Sequence, residues 1–482
     1  MPPSRPRRPG RKFCSVRALL DRLPDLLASR RVRESTLQVL PFWAAGALSG
    51  LVAVGYARVF ALLEERFRTV AAESGWVLII ACPLAFFASW ALVYVFSPEA
   101  SGSGIPQLMA AAAPGAGTSL IDRMVGTRAA LVKVLSSSIA VAGGGAIGRE
   151  GPTLQISGAI FRAVRTRLPA FWPRVPTSSM LLAGGAAGLA AAFNTPLGGI
   201  VYAIEELARA HVASFRSGVL HAVLVAGLVS QLILGPYLYL GFPEIGAWSS
   251  RDLPAFVLMG AATGLVGALW ARGLFSMVRF RGRLPGARQQ GLFALGAGLI
   301  FAGLGGFAGP AALGSGRGVI ETLLFDNPAP VGPGIVLGRL AGSFVSFAAG
   351  GAGGIFAPAL ASGAALASSL APAFSPVDAR LLIVLGMVAF LTGVTRTPFT
   401  SFVLVLEMTD RHSAIFPMMI AAMSAYATAH LVDHESFYER VRAVLTAGET
   451  GHGPDDSLVS RGFASPRAKE RGARDDLSAK DS

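Results

Sequence analysis

The chain has 482 residues, 52% of them hydrophobic and 15% charged, and a mean hydropathy of +0.55. That balance excludes an ordinary soluble domain and a disordered chain, and it predicts a polytopic membrane protein. The formal net charge of +14 does not predict nucleic-acid binding. The charges cluster outside the apolar runs, and no basic face carries interleaved stacking aromatics.

Residues 1–35 form a basic arm with ten Lys and Arg residues between Arg5 and Arg33. By the positive-inside rule these leave the N-terminus in the cytoplasm. The arm lacks the short apolar core and small-residue cleavage site of a secretory signal, so no removal is expected. The helical body is expected over 36–446, with repeat halves at about 36–235 and 252–432 and a last helix at about 434–446. Apolar runs fall at 41–63, 76–96, 218–234, 254–275, 291–307, 334–349, 381–391 and 415–432. Several reach the roughly 20 residues that a spanning helix needs. Others are short, as in transporters whose broken helices stop inside the membrane at a binding site. No strand-rich segment is present, so the fold class is all-α, as backbone satisfaction in lipid demands. Residues 447–482 read as a disordered polar tail.

Four segments carry candidate chemistry. After the second run, Gly102-Ser103-Gly104-Ile105-Pro106 presents a serine among flexible glycines at a helix start, a plain turn or an anion site. Next, Gly148-Arg149-Glu150-Gly151-Pro152 puts a carboxylate into very apolar, glycine-rich sequence. Gly143, Gly144 and Gly145 before it and Pro152 after it make a chain break and then a helix start with free backbone N–H groups. A carboxylate inside a membrane protein is costly unless it pairs, protonates or lines a water-filled path, so its default reading is functional. In the second half, Gly353-Gly354-Ile355-Phe356-Ala357-Pro358 repeats the pattern of glycine followed by a helix-opening proline. There Phe356 is either a packed aromatic or part of a site. Last comes Phe437-Tyr438-Glu439-Arg440, whose phenol is an interfacial anchor or a donor to an anion.

The two halves also match in register. Asn194-Thr195-Pro196-Leu197 followed by Glu205 lines up with Arg396-Thr397-Pro398-Phe399 followed by Glu407 at a constant offset. Upstream, Glu150-Gly151-Pro152-Thr153-Leu154 lines up with Phe356-Ala357-Pro358-Ala359-Leu360. This is an internal duplication, the arrangement in which many transporters hold substrate between repeats. The sequence alone does not show whether the repeats are inverted. Cys14 and Cys82 give no basis for a disulfide or metal site. His430 and His434 have i, i+4 spacing but flank Asp433 at a helix exit, where a solvated pair is expected.

Taken together, GSGIP at 102–106, GREGP at 148–152, GIFAP at 354–358 and the late Tyr438 resemble the CLC family of chloride channels and proton-coupled chloride exchangers. The similarity covers about residues 36–446. It implies two inverted halves of tilted and broken helices and a homodimer in which each subunit has its own pore. It also implies a multi-pass protein of the cell membrane, embedded in the lipid bilayer with both termini cytoplasmic, and not an enzyme. Ser103 and Tyr438 would coordinate the anion through their hydroxyls, with backbone N–H groups near Ile355 and Phe356 and at the start of the Glu150 helix. Glu150 matches the gating glutamate and proton acceptor, and Glu206 matches the second glutamate that passes protons in the family's exchangers. The bland reading of Glu205 and Glu206 is a helix-end cap paired with Arg209. Chloride and protons are the expected partners, with no cofactor, no metal and no nucleic acid. The function implied is proton-coupled chloride exchange, and the alternative is a passive voltage- or pH-gated chloride channel. Gln107 and Met109 depart from bacterial exchangers that carry acids there, and the paired cytosolic regulatory domains of many eukaryotic members are not expected. Ser103 argues for chloride, because nitrate-preferring relatives have proline there and fluoride exporters often methionine.

Overall fold

The computed structural model describes residues 30–173, 175–207, 217–235 and 239–450. The predicted arm up to residue 29, Arg209, and the tail beyond residue 450 lie outside the described residues. The first half comprises α1 (Arg30–Glu73), α2 (Val77–Phe96), α3 (Ile105–Ala112), α4 (Thr118–Val125), α5 (Thr127–Ala142), α6 (Glu150–Thr166), α7 (Thr177–Phe193), α8 (Pro196–Tyr202) and α9 (Ser217–Leu234). The second comprises α10 (Leu253–Arg283), α11 (Gly286–Ala308), α12 (Arg317–Glu321), α13 (Pro333–Ala348), α14 (Phe356–Leu370), α15 (Ala379–Thr395), α16 (Pro398–Thr409) and α17 (Ile415–Val432). The closing helix α18 spans Phe437–Thr450.

Among the described residues, seven helical stretches are long and apolar enough to cross a membrane. The shorter apolar helices survive because they are enclosed by protein. From Ser179 to Phe193 in α7, and from Leu381 to Thr395 in α15, every residue is buried. A helix surrounded in this way needs no lipid-spanning length of its own.

The duplication reappears in the packing. α1 lies on α9 as α10 lies on α17, and α6 lies on α7 as α14 lies on α15. The hinges match in detail. Asn194 closes α7 at φ 57° and Arg396 closes α15 at φ 61°, and the following threonines have φ, ψ of −126°, 81° and −120°, 77°. Each proline then opens a short helix, the position where its missing N–H costs nothing. The carboxylate of Glu205, just past α8, accepts from Phe399 N at 3.1 Å and Thr400 N at 2.6 Å at the start of α16. Glu407, near the end of α16, accepts from Leu197 N at 3.0 Å and Gly198 N at 2.6 Å at the start of α8. Two helices that each cap the other's N-terminus from their own C-terminal end run antiparallel. The halves are therefore inverted.

The last helix begins at Phe437, three residues later than the sequence reading. Ser436 and Glu439 form a reciprocal cap, with Ser436 N donating to Glu439 Oε2 at 2.9 Å and Glu439 N donating to Ser436 Oγ at 3.1 Å. That box fixes where the helix starts.

Candidate anion and proton site

Between α2 and α3, between α5 and α6, and between α13 and α14 the chain leaves the α-helix, with only a short 3-10 turn at Pro98–Ala100 in the first gap. Backbone polar groups there have to be paired inside the protein. They pair with one another. Gly102 N donates to Gly351 O at 2.8 Å and Gly353 N to Gly102 O at 3.0 Å. Gly148 N donates to Gly354 O at 2.8 Å and Gly354 N to Gly148 O at 2.7 Å. Two serines complete the set: Ala146 N donates to Ser346 Oγ at 2.9 Å and Ala352 N to Ser136 Oγ at 3.0 Å. Three motifs far apart in sequence are thus hydrogen-bonded into one knot, from which α3, α6 and α14 depart. Their N-terminal ends carry partial positive charge into the same region.

Ser103, Glu150, Ile355 and Phe356 lie in the knot or at the helix starts beside it, Tyr438 stacks on Phe356, and these residues and Glu206 are all buried. The Phe356 and Tyr438 rings stack at 6.2 Å and 13°, and Tyr202 meets Phe356 edge-on at 6.0 Å. The Ser103 and Tyr438 hydroxyls lie near one another. Neither Ser103 Oγ nor Tyr438 Oη has a hydrogen-bond partner among the described residues. A buried hydroxyl left unpaired costs about 1–3 kcal/mol. Two such hydroxyls near one another can both donate to a single acceptor, and an anion is one acceptor that would satisfy them.

Glu150 opens α6. Its carboxylate occupies the space that a Cβ on Gly148 would enter, against Ala357 and Pro358, and it faces the backbone N–H of Ala357. Gly151 beside it allows the close approach of Ser103, because a methyl group there would strike Ser103 Oγ and its carbonyl. Tyr438 lies within electrostatic range of both Glu150 and Glu206. Glu206 sits in a single π-helical turn, Ala203–Leu207, that follows α8. The wider turn separates two neighbouring acids. Glu205 caps α16, whereas Glu206 is buried.

Some site residues escaped the sequence reading. Lys133, fully buried on α5, donates to Gly102 O at 2.8 Å, and Gln107 Nε2 donates to Ser101 O at 2.8 Å. Both brace the Ser103 loop. A lone cation in an apolar run was the same signal that exposed Glu150, so Lys133 was findable. Tyr239 was not, because it reaches the site from a loop. Arg149 and Arg317 both lie over its ring, at 5.9 and 5.1 Å, and the ring packs edge-on against Phe193. His430 and His434 stay at the surface, 3.0 Å apart, and no group of three or more metal-ligating side chains occurs among the described residues.

Residues 84–430 match the family described as "Voltage gated chloride channel". The H(+)/Cl(-) exchange transporter ClcA of Vibrio cholerae serotype O1 (strain ATCC 39541) is 32% identical over 434 residues, covering 82% of this chain and 87% of the relative. The ClcA of Klebsiella pneumoniae subsp. pneumoniae is 31% identical over 437 residues, covering 85% and 89%. Among solved structures, a slow cyanobacterial Cl-/H+ antiporter superposes with a TM-score of 0.75 at 22% identity, covering 86% of this chain and 99% of that one. A CLC-type fluoride/proton antiporter gives 0.67 at 22% identity, covering 84% and 97%. These matches, over the residues that build the inverted halves and the knot between them, show that the chain belongs to the CLC family of voltage gated chloride channels and exchange transporters.

Proposed function

We propose that this protein exchanges chloride for protons across a membrane, with the anion held between Ser103 and Tyr438 and the proton handled by Glu150 and Glu206. The observation that carries the reading is the pair of buried, partnerless hydroxyls beside a buried carboxylate. Chloride accepts from both hydroxyls and from the backbone N–H groups of Ile355 and Phe356 at the start of α14. Helix ends and hydroxyls supply partial charges only, so the ion binds and still leaves. The ionised Glu150 carboxylate and a chloride are alternative negative occupants of neighbouring space. Protonation removes that competition and loads the proton that is carried. Glu206, with Tyr202 four residues before it, receives or delivers protons at the other end, and Tyr438 is within electrostatic range of both acids.

The same reading makes the protein a homodimer in the cell membrane with cytoplasmic termini and no cofactor. A stripe of exposed leucines on α9, Leu220, Leu224, Leu228 and Leu232, supplies a subunit contact at i, i+4 spacing. The rival is a passive chloride channel, in which Glu206 has no part. Chloride efflux and external pH followed together in proteoliposomes decide between them. The wild type moves both ions, and Glu206→Gln moves chloride without protons. Wild-type chloride flux with no proton movement makes the protein a channel.

A further inference from the structure

The wall beside Ser103 carries a charge that this cycle does not use. Arg281, close to the C-terminal end of α10, is only 8% exposed. Its guanidinium lies over Gly350, where any Cβ would take its place and where φ is +94°, a conformation that suits glycine. Nη2 reaches Ser101 Oγ at 3.4 Å, a long contact for a charged donor. Among the described residues no carboxylate forms an ion pair with Arg281. Lys133, the neighbouring buried cation, directs its donors to the Gly102 and Ser101 carbonyls. Arg281 is not needed to hold the loop either, since Ser101 Oγ bonds Gly350 O at 3.1 Å and Gly102 bonds Gly351 and Gly353.

A buried cation without a counter-charge is costly unless something negative visits it. Arg281 borders a cavity of about 20 Å³ that also touches Ser101, Ser103, Gln107, Phe347 and Phe437 but not Glu150. That space admits a water-sized species.

We infer that Arg281 attracts the halide to Ser103 from the mouth away from Glu150 and so sets chloride affinity on that side. The inference rests on the reading that Ser103 and Tyr438 hold the transported anion. Chloride uptake into proteoliposomes, measured against chloride concentration, tests it. Arg281→Gln raises the apparent chloride KM roughly tenfold, the effect of one unit charge about 10 Å away at an effective dielectric near 20. Arg281→Lys restores it to within about twofold on the same argument, and the proton-to-chloride ratio is unchanged because Glu150 and Glu206 are intact. A folded Arg281→Gln with wild-type KM overturns the inference. Wild-type protein that carries no chloride sinks the exchange reading itself.

Discussion

Glu150 and Glu206 are chemically alike, and both are buried, yet their surroundings differ. Glu150 stands at a helix start against Gly148, Ala357 and Pro358, in the space next to the hydroxyl pair. Glu206 lies in a π-helical turn away from it. Removing the first carboxylate leaves an open anion path with no proton carrier. Glu150→Ala is therefore expected to conduct chloride passively with external pH unchanged, read with paired chloride and pH electrodes. Truncating Tyr438 removes a hydroxyl donor to the anion and the ring stacked on Phe356. A hydrogen bond to a charged group contributes about 1.5–3 kcal/mol, so Tyr438→Ala weakens chloride binding by about tenfold or more, measured by calorimetry in detergent. A result within twofold would remove Tyr438 from the site. Glu150 was legible because a lone carboxylate in apolar sequence is anomalous at sight. Glu206 was legible only by resemblance, since the neighbouring acids look interchangeable until the turn that separates them is known. Arg281 was hidden by its place among the arginines at a helix end.

Short helices and the loops between them do the positioning. Gly151→Ala forces a methyl group into Ser103, whose loop is pinned by the Gly102 hydrogen bonds. Overpacking of this kind costs about 1–3 kcal/mol, and the expected outcome is a lowered melting temperature together with lost chloride flux. Flux at the wild-type rate would show that the loop yields. The reciprocal caps make a second prediction. Glu205→Gln and Glu407→Gln each weaken a charged cap at a helix start, a loss of about 0.5–2 kcal/mol, with the larger drop in melting temperature expected at Glu205, which also accepts from Thr400 Oγ1 at 2.7 Å. A larger drop at Glu407 would contradict this. The repeat behind these caps was readable from Asn194-Thr195-Pro196 and Arg396-Thr397-Pro398. The pairing of Gly148 with Gly354 was not, because backbone-to-backbone hydrogen bonds leave no side-chain signature.

The whole molecule follows from the inversion. Two antiparallel copies of one half bring α6 and α14 to a common point, which a single copy does not do, and the proposed anion site lies where the halves meet. The duplication was visible in sequence, whereas its direction needed the antiparallel caps of α8 and α16. The leucine stripe on α9 predicts two subunits per particle in nanodiscs by photobleaching, and Leu224→Trp with Leu228→Trp is expected to shift the count to one. Wild-type particles holding one subunit would show that the stripe faces lipid. The claim on which all of this depends is coupling. Proteoliposomes with equal chloride on both sides, voltage clamped at zero and an acidic exterior give chloride no gradient of its own. An exchanger lets protons in and drives chloride out, so net chloride efflux is the predicted result. Chloride that stays level under these conditions, in protein that passes chloride readily down its own gradient, would contradict the account.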